Sequence, residues 1–233
     1  MSRSAPRLSK SRFIAGLQCR KRLYLEVHHR ELATEPGPAT QRIFASGHEV
    51  GELARDQFPG GILIDPPPYE VERALQETEA AIDAGASVLY EPAFMHNNVF
   101  IRIDILSMAE TGAWDLIEVK STTKTSDTHV ADTGIQRYVA RGAGLSIRNT
   151  YLMHLNRECR YPDLSNLFDL DEVSDRIDEM WPELEPRVAE FNELLGQPGT
   201  PDVPIGKHCT SPYDCPFIDH CWRHVQHPSI FTI

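Results

Sequence analysis

Three strand-like stretches lie in succession near the middle of the chain, and two of them embed ionisable residues in an otherwise apolar run. Val88–Met95, Val99–Leu106 and Trp114–Val119 are rich in β-branched and aromatic residues. His96-Asn97-Asn98 and a turn around Gly112 join them, which predicts an antiparallel meander. Asp104 sits in Ile101-Arg-Ile-Asp-Ile-Leu106, and Glu118 and Lys120 sit in Leu116-Ile-Glu-Val-Lys120. Side chains two apart on a strand share a face, so Glu118 and Lys120 project together while Val119 points into the core. Paired as a hairpin, the two strands place Asp104 beside Glu118 on that face. The plain alternative is surface charge on half-exposed strands.

Helical patterns flank this centre. Residues 1–30 read as a short basic helix with Phe13, Leu17 and Leu23–Leu25 on its buried side. Residues 40–58 carry Ile43, Gly47, Val50 and Ala54 at helical spacing, and Glu70–Ala84 is amphipathic and stopped by Gly85. Residues 129–141 return to helical period, Arg148–Leu155 is a further strand, and Asp169–Leu195 reads as helix interrupted at Pro182 and Pro186. The expected class is α/β with α+β character. One domain is expected, in four parts: a basic segment (1–35), a core (40–156), an acidic helical segment (169–196) and a Cys-rich tail (198–233).

A chain of 233 residues with 41% hydrophobic content can bury a sizeable core. Its longest apolar runs are broken by charges and fall short of a membrane span, and no secretory signal pattern is present, which predicts a cytoplasmic protein. A net charge of −11 argues on average against a nucleic-acid partner. The charge is uneven, however: residues 1–30 hold eight Lys/Arg and one acid, and residues 169–195 hold ten acids and two Arg. The basic run (Lys10, Arg12, Arg20, Lys21, Arg22) can follow a phosphate backbone or simply solubilise a helix face; the acidic run reads as a solvated face.

Two carboxylates beside a lysine make a hard-oxygen site suited to Mg²⁺ or Mn²⁺, and phosphodiester hydrolysis is a natural use of it. The five cysteines, an odd number in a chain of this kind, point to metal binding plus a spare thiol, not to a disulfide framework. Cys209, Cys215 and Cys221 stand at intervals of six in a tail with little regular pattern, and Cys19 is the natural fourth ligand of an iron–sulfur cluster or a zinc ion. His208, His220 and His224 are alternative partners for zinc. Cys159 is the spare thiol.

Asp104, thirteen intervening residues, Glu118-Val-Lys120 and then a helix with Gln136 resemble the RecB-like branch of the PD-(D/E)XK nucleases. One cysteine before the core and three after it, ending Cys-Pro-Phe-X-X-X-Cys, resemble the iron–sulfur members of that branch. These include the CRISPR-associated Cas-four type exonucleases, AddB-like nuclease domains and bacterial RecB-like proteins of unassigned role. The resemblance implies a restriction-endonuclease-like core with a central mixed sheet flanked by helices. It implies metal ligation by His48, Asp104, Glu118 and Val119, catalysis by these with Lys120 and Gln136, and a cluster, 4Fe-4S favoured, on Cys19, Cys209, Cys215 and Cys221. Ile103 replaces the proline of the short motif before the aspartate, as is common in that branch, and two departures stand out: Tyr138 follows Gln136 by two residues where the family has four, and five residues separate Cys209 from Cys215 where the family usually has two. Asp132 shares the face of Gln136, and Glu91 is a further acid near the site.

The expected function is a metal-dependent DNA nuclease acting on ends or single strands, in repair, recombination or CRISPR adaptation, with protein partners from such a complex. Two alternatives are a catalytically silent iron–sulfur scaffold on nucleic acid and a zinc-stabilised adaptor.

Overall fold

The computed structural model describes residues 6–225; the first five residues of the basic segment and residues 226–233 of the Cys-rich tail lie outside them. In chain order the elements begin with β1 (Leu8–Ser9), α1 (Lys10–Gln18), α2 (Arg20–His28), α3 (Pro38–Arg55), β2 (Ile62–Leu63) and α4 (Val71–Asp83). The meander follows as β3 (Val88–Tyr90), β4 (Ala93–His96), β5 (Val99–Arg102), β6 (Ile105–Met108) and β7 (Trp114–Lys120). Then come α5 (Asp127–Gly142), β8 (Ile147–Leu155), β9 (Phe168–Glu172), α6 (Ser174–Gly196) and α7 (Ile218–Trp222).

The fold is mixed α/β, with a central six-stranded mixed sheet ordered β2-β3-β6-β7-β8-β9 and helices packed around it. Within this sheet β2–β3 and β7–β8 pair in parallel and the other neighbours antiparallel. A smaller sheet, β1-β5-β4, stands beside it. The expected meander exists, but its first two strands each bend from one sheet into the other. Val88–Met95 breaks at Glu91-Pro92 and Val99–Leu106 breaks at Ile103-Asp104. The breaks face one another: Glu91 N–H donates to the Asp104 carbonyl and Ile103 N–H to that of Pro92, so the ladder turns the corner with its backbone groups satisfied. Glu91 adopts φ 55°, a left-handed conformation that marks a sharp bend in a non-glycine residue. At the hairpin tip Asn97 and Asn98 take φ 47° and 59°, as a two-residue primed turn demands.

Three helical expectations need correction. The N-terminal helix is two helices, broken at Cys19, whose extended backbone (φ −163°, ψ 119°) ends α1 and starts α2. Leu17 consequently faces outward, while Phe13, Leu23 and Leu25 are buried. On α3 only Val50 and Ala54 are buried, and Ile43 is 63% exposed because the N-terminal half of the helix stands clear of the sheet. Residues 168–172 form the edge strand β9, and α6 then runs unbroken through Pro182 and Pro186. Both prolines lie on the solvent face, where the carbonyls they release meet water, while Ile177, Leu184, Val188, Phe191 and Leu195 bury the opposite face. Gly16 lets α1 press against α6: a Cβ there would stand 2.7 Å from the Phe191 ring.

Candidate active site and cysteine cavity

The corner between the two sheets places the carboxylates. In the antiparallel β6–β7 pair, Ile105 is opposite Ile117, so Asp104, one step earlier, comes alongside Glu118. Asp104 Oδ2 accepts the Val119 N–H at 2.7 Å, which fixes its carboxylate against β7. The side chain of Glu118 is 2% exposed and both its oxygens are engaged: Oε1 takes Lys120 Nζ at 2.6 Å and Lys10 Nζ at 2.8 Å, and Oε2 takes Gln136 Nε2 at 2.8 Å. Lys120 also pairs with Asp132 on α5.

This network sets the charge states. Burial opposes ionisation of Glu118, but Lys10 and Lys120 outweigh it and hold the carboxyl below the usual range. Lys120 stays above its ordinary value: burial opposes its charge, and Glu118 with Asp132 overcomes that. Lys10 is likewise raised, with burial opposing and Glu118, Asp132 and Asp104 prevailing. Asp104 goes the other way, pushed up to about 8 by burial and by the Glu118 charge, with only partial relief from Lys10.

Asp104, Glu118, Val119, His48, Glu91 and Arg55 line one cavity of about 320 Å³ between α3 and the sheet. His48 therefore shares a pocket with both carboxylates, and Val119 lies there with its backbone carbonyl as its sole possible ligand atom. Gln136 is fully buried on α5 and reaches the pocket only through Glu118. Tyr138 faces away, accepting from Asn97 Nδ2 and packing against His96 and Trp181. Glu91 stands over the pocket beside Arg55, its carboxyl raised by burial against the pull of Lys10 and Arg55.

Lys10 is the site residue that sequence reasoning assigned elsewhere. It belongs to the basic run, yet its ammonium is turned inward to Glu118. The signal in sequence was its place at the start of a helix just after the strand-like Leu8-Ser9. Three others of the run are also paired: Arg12 donates to the Arg7 carbonyl, Arg20 pairs with Glu190, and Arg22 with Glu26.

The cysteines gather at the opposite end of α1. Cys19, from the break between α1 and α2, and Cys209, Cys215 and Cys221, from the tail, line a single small cavity with Leu25, Phe217 and Lys21. The tail is tied down by Gln18, whose Nε2 donates to the His208 and Tyr213 carbonyls, and by Cys215 N–H donating to the Cys209 carbonyl. Burial pushes the Cys215 thiol up to about 11 and raises Cys221 as well. Cys159 is remote, its thiol near the Asp163 carbonyl on the 156–166 loop. Among the described residues no three His, Cys, Asp or Glu side chains converge in the arrangement of a metal site. In the carboxylate pocket the reason is visible, since Glu118 is turned toward two ammonium groups and an amide.

No family model and no curated protein matches the sequence. Two solved structures resemble the chain at 12% identity. SSO0001 aligns over 97% of this chain and 90% of its own length, with a TM-score of 0.46. The alkaline exonuclease LHK-Exo from Laribacter hongkongensis aligns over 82% and 88%, with a TM-score of 0.39. Among the described residues no helix is long and apolar enough to cross a membrane.

Proposed function

We propose that this chain is a divalent-metal-dependent nuclease that hydrolyses phosphodiester bonds in DNA. The observation that carries this reading is the side-by-side placement of Asp104 and Glu118 at one end of an open pocket, with His48 and Val119 on its walls and Lys120 beside them. The donors are oxygen-rich with one imidazole, which suits Mg²⁺ or Mn²⁺. Asp104, Glu118, His48 and Val119 would hold such an ion, which when bound would supply electrophilic stabilisation of the phosphate.

The chain's own residues do the remaining work. Lys120, kept cationic by Glu118 and Asp132, orients the attacking water and faces the negative charge that develops on the phosphoryl oxygens; it donates hydrogen bonds and is not the base. Gln136 holds Glu118 in place. In the hydrolysis itself the water oxygen bonds to phosphorus as the bond to the leaving sugar oxygen breaks; the water gives up one proton to solvent and the departing oxygen takes one up from it. A pocket of about 320 Å³ suits a single strand or an end better than an intact duplex.

Cys19, Cys209, Cys215 and Cys221 are the ligands proposed for an iron–sulfur cluster, 4Fe-4S favoured: all four line one cavity, and Lys21 and Arg22 beside them would offset part of the charge of four thiolates. The cluster would tie the two ends of the chain together. On the resemblance noted above, the setting is DNA repair, recombination or CRISPR adaptation.

The test is incubation of the pure protein with single- and double-stranded DNA and Mn²⁺ or Mg²⁺, beside Lys120→Ala. Cleavage by the wild type that is lost in the variant is expected. Equal cleavage by both removes Lys120 from the mechanism, and DNA binding without cleavage favours the scaffold reading.

A further inference from the structure

We propose that Lys10 is a displaceable internal counter-ion of the carboxylate pocket: its ammonium occupies Glu118 Oε1, and a divalent cation that binds this oxygen releases it toward the substrate phosphate. This rests on the reading of Asp104 and Glu118 as metal ligands.

Glu118 Oε1 is filled, because it receives both lysines, whereas Oε2 receives Gln136 alone. A cation therefore gains Oε1 only if a lysine leaves. The three donors are unequally held. Gln136 is fully buried in the middle of α5 and makes a second bond to the Asp132 carbonyl. Lys120 rises from the central strand β7 and is anchored by Asp132 as well as Glu118. Among the described residues Lys10 has one carboxylate partner, Glu118, and its side chain is 27% exposed, so it is the donor with least to lose and a path out.

Its backbone, by contrast, is rigid. Ser9 caps α1 by accepting the Arg12 N–H, and Leu8-Ser9 pairs with β5. The released ammonium thus swings on a fixed base within one side-chain length of the pocket, positioned to meet the negative charge that enters with the metal. Two ammonium groups on one buried carboxylate also explain how an acid 2% exposed is tolerated in the fold.

The experiment measures Mn²⁺ affinity by calorimetry on the full-length protein, without nucleic acid, for wild type, Lys10→Met, Lys10→Gln and Arg55→Gln. Arg55 lines the same pocket but pairs with Glu91, so it reports the general effect of removing a nearby charge. Both Lys10 variants should bind Mn²⁺ about tenfold tighter or more, the scale of one charge-assisted hydrogen bond that no longer has to be broken. Arg55→Gln should change affinity by less. Loss of a merely structural contact would instead weaken binding. Equal or weaker affinity in the Lys10 variants, or no Mn²⁺ binding to any of the proteins, overturns the proposal.

Amine-reactive footprinting of the wild type needs no variant to fold. Mn²⁺ should raise labelling of Lys10 several-fold while Lys120 stays protected, and unchanged labelling of Lys10 overturns the displacement. DNA cleavage is scored separately. Tighter Mn²⁺ binding in the variants with no cleavage by the wild type removes the nuclease reading and leaves the counter-ion in place. Cleavage by the wild type with no change in affinity does the reverse.

Discussion

Lys10 Nζ stands 2.8 Å from Glu118 Oε1, an ion pair that spans 108 residues of sequence. It joins the first turn of α1 to the middle of the central sheet, while the other end of the same nine-residue helix runs into Cys19. One short helix therefore links the carboxylate pocket to the cysteine cavity, and the two halves of the chain's chemistry share a single rigid element.

If the pocket binds a divalent cation as proposed, Asp104 should set the pH dependence of that binding. Its carboxyl is raised to about 8, chiefly by burial and then by Glu118. A raised acid means that the folded chain keeps a proton the unfolded chain has already lost, so ionisation of Asp104 weakens the fold as pH climbs from the ordinary carboxylate range toward 8. A cation must displace that proton at any pH below about 8. Apparent Mn²⁺ affinity should then rise by about tenfold per pH unit up to about pH 8 and level off above it, with one proton released per ion bound. Calorimetry in buffers of differing ionisation heat reads both quantities, and Asp104→Asn should flatten the slope. A slope unchanged in that variant would remove Asp104 from the ligand set.

Gln136 acts on the site through Glu118. Gln136→Leu keeps the volume but leaves Oε2 of a buried carboxylate without its partner, a loss of about 1–3 kcal/mol of stability. Cleavage should fall about tenfold through kcat, with KM for DNA little changed, because a side chain with no exposure cannot touch the substrate in this state. A rise in KM with kcat intact would place the Gln136 amide on the DNA.

The cysteine cavity has a colour test. Anaerobically purified wild type should be brown with broad visible absorption, Cys19→Ser colourless and less stable, and Cys159→Ser indistinguishable from wild type. Colourless protein with stoichiometric zinc would replace the cluster by a zinc site. Colour retained in Cys19→Ser would exclude Cys19 as a ligand.

Gly16 lies on the contact that holds α1 in place. Alanine is the better helix former by about 1 kcal/mol, but its methyl would stand 2.7 Å from the Phe191 ring, which is buried and packed edge-on against Phe13. Overpacking of this kind costs about 1–3 kcal/mol, so Gly16→Ala should be destabilising on balance. Urea unfolding measures it, and a stability equal to or above wild type would mean that the ring yields without cost.

The sequence by itself determined most of the elements and both groups of reactive residues. Period-two runs marked the meander, because strands expose alternate faces, and the short apolar segments around Glu118 and Asp104 restricted where a hairpin could put them. The distribution of cysteines singled out Cys159 as separate from the other four before any contact was known. Three things were decided only by tertiary structure. The bends at Glu91-Pro92 and Ile103-Asp104 arise because two sheets share strands, a demand that no local pattern records. Pro182 and Pro186 sit within one continuous helix because the packing of α6 turns both toward solvent, where the freed carbonyls are hydrated. The inward turn of Lys10 follows from a long-range balance: burial works against its ammonium, and the summed charges of Glu118, Asp132 and Asp104, brought together from three elements, overcome that cost. Such a balance exists only once the chain has folded, which is why a residue that reads in sequence as part of a basic surface becomes a partner of the buried Glu118.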